Sequence, residues 1–157
     1  PFMVQTAGLK EGTITMLLTL FGIMGLAGSV VFSRYYDRHR SLFMRMAVIG
    51  ICAGLFLLRP AAWSVQSVIA LLALWGISYT FFGMVFQSEV IRNVPDGTSV
   101  AMSIYSGIFN VGIGGGALIG GIVCSGINVG AAGYIGGVIS IAACLVCLMY
   151  LQPRLKK

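Results

Sequence analysis

The stretch VQSVIALLALWGISYTFFGMVFQSEV, residues 65–90, decides the fold. Its one charged residue is Glu89, next to the end. As a helix rising 1.5 Å per residue it spans roughly 39 Å, enough to cross the ~30 Å hydrocarbon core of a bilayer. The run is continuous and does not alternate, whereas a membrane barrel needs many short alternating segments. In lipid each backbone N–H and C=O must find its partner within the segment, so the segment is a helix.

Four more segments read the same way: residues 12–33, 42–58, 100–124 and 131–151. Charged residues make up 9% of the chain and apolar ones 58%, against roughly 25% charged in a soluble domain. A soluble fold of this composition has no polar coat. The expected fold is therefore all-α, a polytopic membrane bundle of five helices. Residues 59–66, RPAAWSVQ, hold Pro60, a break, and Trp63, suited to a membrane interface. Residues 92–99, RNVPDGTS, give a turn and then Thr98 or Ser99 as a helix N-cap. Residues 125–130, SGINVG, form a tight glycine turn.

Net charge is +6. No basic face or nucleic-acid module accompanies it, so nucleic acid is excluded as a partner. The basic residues sit instead at segment ends. Arg34, Arg38, Arg40, Arg45, Arg92, Arg154, Lys156 and Lys157 fall on one side, and Lys10 and Arg59 on the other. Eight against two sets the first side, with the C-terminus, in the cytoplasm and the N-terminal end outside. The chain starts at Pro1, not methionine, and shows no signal-peptide pattern. This suggests a fragment, with Pro1 and Phe2 as the exit of an earlier helix.

No enzyme constellation appears. His39 is the lone histidine. Cys144 and Cys147 form a C-x-x-C within an apolar run, without the converging ligands zinc needs, and read as small packing residues like Cys52 and Cys124. No metal and no cofactor are called for. The fourth segment places Gly112, Gly116 and Gly120 at four-residue spacing, one face on which another helix backbone can approach closely. The rival reading, a dinucleotide loop at Gly112-x-Gly114-x-x-Ala117, lacks a preceding strand and a following acid.

Residues 28–41, GSVVFSRYYDRHRS, resemble the G-x-x-x-D-R-x-G-R-R loop of the major facilitator superfamily, found between the second and third helices of each half. Asp37 and Arg38 match its D-R pair, while Ser33 and Arg40 stand where the motif has glycines. Residues 94–121, VPDGTSVAMSIYSGIFNVGIGGGALIGG, are similar to helix eleven of bacterial sugar-efflux transporters of the drug:proton antiporter group. The resemblance covers the whole chain. It implies helices eight to twelve of twelve, with a stub of helix seven, in a bacterial inner membrane protein. It also implies proton-driven export by rocking of two halves around a midplane site, with the missing N-terminal helices as partner and protons as coupling ion. In the family Asp37 and Arg38 act as a gate latch; the bland alternative is a loop that only sets topology.

Trp75, Ser78, Tyr79 and Phe82 share a helix face and suit a sugar-like ligand, which stacks and hydrogen-bonds at once. Packing between helices explains the same face. Ser103, Ser106 and Asn110 share a face of the fourth segment, where the Asn110 amide must bond to a helix or a ligand. Thr15 and Thr19 line a path or bond their own helix. No Asp, Glu, Lys, Arg or His lies at the centre of a segment, and Glu89 is expected to partner Arg92 at the interface. Sugars, nucleosides and drugs all remain open as substrates. The alternative class is a small membrane scaffold or regulatory subunit packing through its glycine-rich helix.

Overall fold

The computed structural model describes residues 11–61, 63–127, 131–151 and 153. Five helices follow in order: α1 Glu11–Tyr35, α2 Arg40–Ala61, α3 Val65–Asn93, α4 Thr98–Gly126 and α5 Ala131–Val146. A 3-10 turn, Pro95–Gly97, precedes α4, and a π-helical turn, Cys147–Leu151, extends α5. Each helix is long and apolar enough to cross a membrane, and no strand occurs among the described residues. Lys10, Arg154, Lys156, Lys157, Pro1 and Phe2, and residues 128–130 of the glycine turn before α5, lie outside the described residues.

The five expected segments are all present, the first four somewhat longer than their apolar runs and the fifth ending with its π-helical turn at Leu151. Pro60 lies within the last turn of α2, which continues to Ala61. Thr98 and Ser99 do not cap α4. The cap position is Gly97, and the Thr98 hydroxyl donates backward to the Val94 and Pro95 carbonyls at 2.8 and 3.1 Å. The 3-10 turn has already taken up the chain reversal, so Thr98 is itself helical.

α3 is the centre of the bundle, packed most extensively on α1 and α2, while α5 packs on α2. Glycines make these crossings close. A Cβ at Gly76 would stand 2.6 Å from the Phe21 carbonyl oxygen of α1, and one at Gly25 would stand 2.9 Å from Thr80 Oγ1. Gly50 receives Ser78, whose Cβ would lie 2.7 Å from a Cβ added there, and a Cβ at Gly54 would stand 3.2 Å from the Trp75 indole. A Cβ at Gly137 would stand 2.8 Å from the Phe56 ring. In lipid, where no hydrophobic drive pulls helices together, such backbone approach supplies the van der Waals contact that does.

The main core lies at the end of the bundle that carries the arginines. Phe32, Tyr36, Phe43 and Phe81 interlock there with Met44 and Val85; the Phe43 and Phe81 rings meet edge to face at 4.8 Å. Cys144 and Cys147 pack against this cluster. A smaller core of Leu17, Val68 and Leu72 lies at the opposite end.

α4 is the outlier. It touches α3 and α5 only lightly, and Val123 is its one buried residue. Nothing stands within 4 Å of a Cβ built at Gly112, Gly116 or Gly120. The glycine face therefore remains open among the described residues, and the close crossings fall on glycines of the other four helices.

Candidate functional site

Two constellations stand out, one at the basic end and one at mid-depth. The turn of residues 36–39 reverses the chain between α1 and α2, with the His39 carbonyl accepting from the Leu42 and Phe43 amides at 2.9 and 3.1 Å. This sets Tyr36 and Arg40 against the last turns of α3. The Tyr36 hydroxyl donates to Glu89 Oε1 at 2.5 Å. Arg40 Nε donates to the same oxygen at 2.9 Å, and Arg40 Nη2 pairs with Oε2. Glu89 is 8% exposed. The result is a bidentate arginine–carboxylate pair, the strong form of this interaction. Burial, and next the bond to Glu89, hold the Tyr36 phenol well above its ordinary pKa, so it stays a donor. Asn93 Nδ2 donates to the Glu89 carbonyl at 2.7 Å.

Glu89 thus partners Arg40, not Arg92 as expected. Arg92 reaches outward from α3 to Asp37, with Nη2 to Oδ1 at 2.5 Å. That second pair is largely in solvent, its side chains 48% and 86% exposed. Of the two loop residues of the D-R pair, Asp37 accepts from Arg92, while Arg38 is exposed. The three-residue offset from Glu89 to Arg92 offered a local pair, but burial of Glu89 beside α2 favoured the cation that is buried with it. Sequence reasoning missed Tyr36 and the role of Arg40. Its only signal was the density of arginines in one loop.

The second constellation is a cavity of about 430 Å³ where α2, α3, α4 and α5 converge. Trp75, Tyr79 and Phe82 of α3 line it, faced by Phe109, Gly112 and Ile113 of α4 and by Ser140 of α5. Residue 79 is the midpoint of α3, so the cavity sits at the middle of the membrane span. A smaller cavity of about 270 Å³ adjoins it toward the basic end, sharing Tyr79, Phe82 and Phe109 and adding Gln87. No charged side chain lines either cavity.

Three of the expected binding residues, Trp75, Tyr79 and Phe82, are therefore brought together. Ser78 is not with them. It is buried at the α2 crossing against Gly50 and donates to the Leu74 carbonyl at 2.8 Å. Ser106 and Asn110 are exposed and do not line the cavity. Asn110 Nδ2 donates to the Ser106 carbonyl at 2.8 Å, satisfying the amide within α4. Thr19 likewise donates to the Thr15 carbonyl. Phe109, within one turn of both expected residues on α4, is the contact that sequence reasoning passed over. Among the described residues no group of His, Cys, Asp and Glu could hold a metal ion.

The sequence pattern of the Major Facilitator Superfamily matches residues 1–157. A multi-pass bundle of apolar helices, a neutral cavity at mid-span and a charge cluster at one end of it accord with that match, and the chain belongs to the Major Facilitator Superfamily of membrane transporters.

Proposed function

We propose that this chain is part of a proton-driven exporter of sugars or related small molecules, working with a first bundle of helices that faces it. The observation that carries this reading is the mid-span cavity with Trp75, Tyr79, Phe82 and Phe109 on its walls and no charge. Aromatic faces stack on the C–H faces of a sugar, and the Tyr79 hydroxyl and Trp75 N–H supply hydrogen bonds. Nucleosides are the neighbouring substrate class, and cationic drugs fit less well without an acidic partner in the wall. The proton carrier belongs to the facing bundle, because no Asp, Glu, His, Lys or Arg lines the cavity here.

On this reading the basic end is cytoplasmic, in a bacterial inner membrane. The Tyr36–Arg40–Glu89 cluster is a permanent brace, and the exposed Asp37–Arg92 pair is the part that opens and closes as the bundles rock. The open face at Gly112, Gly116 and Gly120 receives a helix of the facing bundle. That same open face also favours a second reading, a membrane scaffold that packs on other proteins and carries nothing.

Efflux separates the two. Cells expressing the complete native reading frame that encodes this chain are loaded with a labelled pentose or galactoside. Faster efflux than in control cells, abolished by a protonophore, supports the exporter. Efflux equal to the control for both sugars supports the scaffold.

A further inference from the structure

Glycine inside a helix is less stable than alanine, so a helical glycine needs a use. Gly76 of α3 has one, because a Cβ there would stand 2.6 Å from the Phe21 carbonyl oxygen. Gly83, two turns further along the same helix, has no such neighbour. Nothing among the described residues lies within 4 Å of a Cβ built on it. What the missing side chain leaves free is space, and that space belongs to the smaller cavity, about 270 Å³, whose wall includes Gly83. Gly83 does not line the larger, mid-span cavity of about 430 Å³.

The two cavities are joined end to end. Tyr79, Phe82 and Phe109 line both, so they stand at the junction. From Trp75 in the larger cavity to Gln87 in the smaller one, the pair follows α3 for roughly 18 Å, longer than one sugar ring. The larger chamber is walled mostly by aromatic and aliphatic side chains. A greater share of the smaller wall is polar, and Gln87 at its basic end is exposed and offers both a donor and an acceptor. The shape is thus two chambers with an aromatic waist between them. It suits two compact units joined by a thin link, the second unit able to hydrogen-bond. Two sugar rings joined through one glycosidic oxygen have that form.

We propose that the smaller cavity is a second subsite, for the second ring of a disaccharide, and that Gly83 sets the length of substrate accepted. The first ring lies against Trp75 and Tyr79 in the mid-span cavity. The glycosidic link passes the junction, and the second ring lies over Gly83 within reach of Gln87. A side chain at position 83 fills the second chamber and leaves the first one intact. This inference rests on the exporter reading.

The test uses the native reading frame with Gly83→Ala and Gly83→Leu, a labelled hexose, and a labelled disaccharide that contains the same hexose. Gly83→Leu raises the KM for the disaccharide about tenfold or more and leaves that for the hexose within about twofold. Gly83→Ala shows the same selectivity in smaller measure. Equal changes for the two sugars, or no change for either, overturn the inference. A second measurement does not depend on how the leucine variant folds. Gly83→Cys, in a background without native cysteines, is alkylated with and without each sugar at saturation. The disaccharide slows the reaction several-fold and the hexose does not; equal slowing by both sugars, or by neither, overturns the inference. If the parent exports the hexose but not the disaccharide, the inference fails alone. If the parent exports neither, the exporter reading fails and takes the inference with it.

Discussion

Replacing Glu89 with glutamine keeps the shape of the side chain and removes its charge. The Arg40 guanidinium is then left at the α2–α3 contact without its counter-charge, with a side chain 21% exposed. Breaking a buried ion pair from one side costs roughly 3–5 kcal/mol. Arg40 stands at a membrane surface and keeps some access to water, and the new amide still accepts a hydrogen bond, so the cost falls to about 2–3 kcal/mol. At ~2–4 °C per kcal/mol for a chain of this size, the melting temperature drops by roughly 5–10 °C. Asp37→Asn breaks a pair that is mostly in solvent, and such pairs contribute little; no measurable shift is expected. The double variant Arg40→Leu/Glu89→Leu removes both charges together and recovers much of the loss, since an apolar pair replaces a buried ion pair at little cost. The assay is thermal stability in detergent, followed by size-exclusion chromatography of the heated protein. An equal loss for Asp37→Asn and Glu89→Gln, or a double variant no more stable than Glu89→Gln, refutes the reasoning.

Gly76→Ala places a Cβ 2.6 Å from the Phe21 carbonyl oxygen and is expected to destabilise by about 1–3 kcal/mol, read in the same thermal assay. Gly116→Ala meets open space and leaves the melting temperature unchanged. Gly116→Leu is expected to impair folded yield of the complete transporter more than Leu118→Phe does, if the open glycine face receives a helix. For topology, Trp63, 96% exposed, and Arg38 are each replaced by cysteine in a background without native cysteines. A membrane-impermeant thiol reagent applied from outside labels position 63 and spares position 38. Tyr79→Phe is expected to change the rate or choice of exported sugar without changing expression, checked by efflux of two sugars side by side.

The membrane helices were legible because composition alone leaves no other fold for residues 65–90, and the same holds for the four other runs. Helix ends were less legible, since polar and aromatic residues such as Tyr35, Arg40 and Asn93 continue a helix past its apolar run. The Arg40–Glu89 pair was hidden: it joins residues 49 apart in sequence, and five arginines competed for one carboxylate. Ser78 and Tyr79 are adjacent, and periodicity put both on one broad face. Only the glycine opposite, Gly50, sends Ser78 into a crossing and leaves Tyr79 at the cavity. On α4 the polar residues Ser106 and Asn110 drew the reading, yet the cavity is lined there by Phe109, Gly112 and Ile113. Polarity marks where a hydrogen bond must go, and Asn110 finds its own in the preceding turn.

The claim at the centre is that the mid-span cavity between α3 and α4 is where substrate sits. Its most direct test is protection from alkylation in the complete transporter without native cysteines. Tyr79→Cys faces the cavity, whereas Ser106→Cys on α4 does not line it. The reaction rate of each with a small thiol reagent is measured with and without a saturating galactoside. A sugar seated in the cavity slows labelling at position 79 several-fold and leaves position 106 unchanged. Equal rates at position 79 with and without a sugar that is demonstrably exported would contradict the claim.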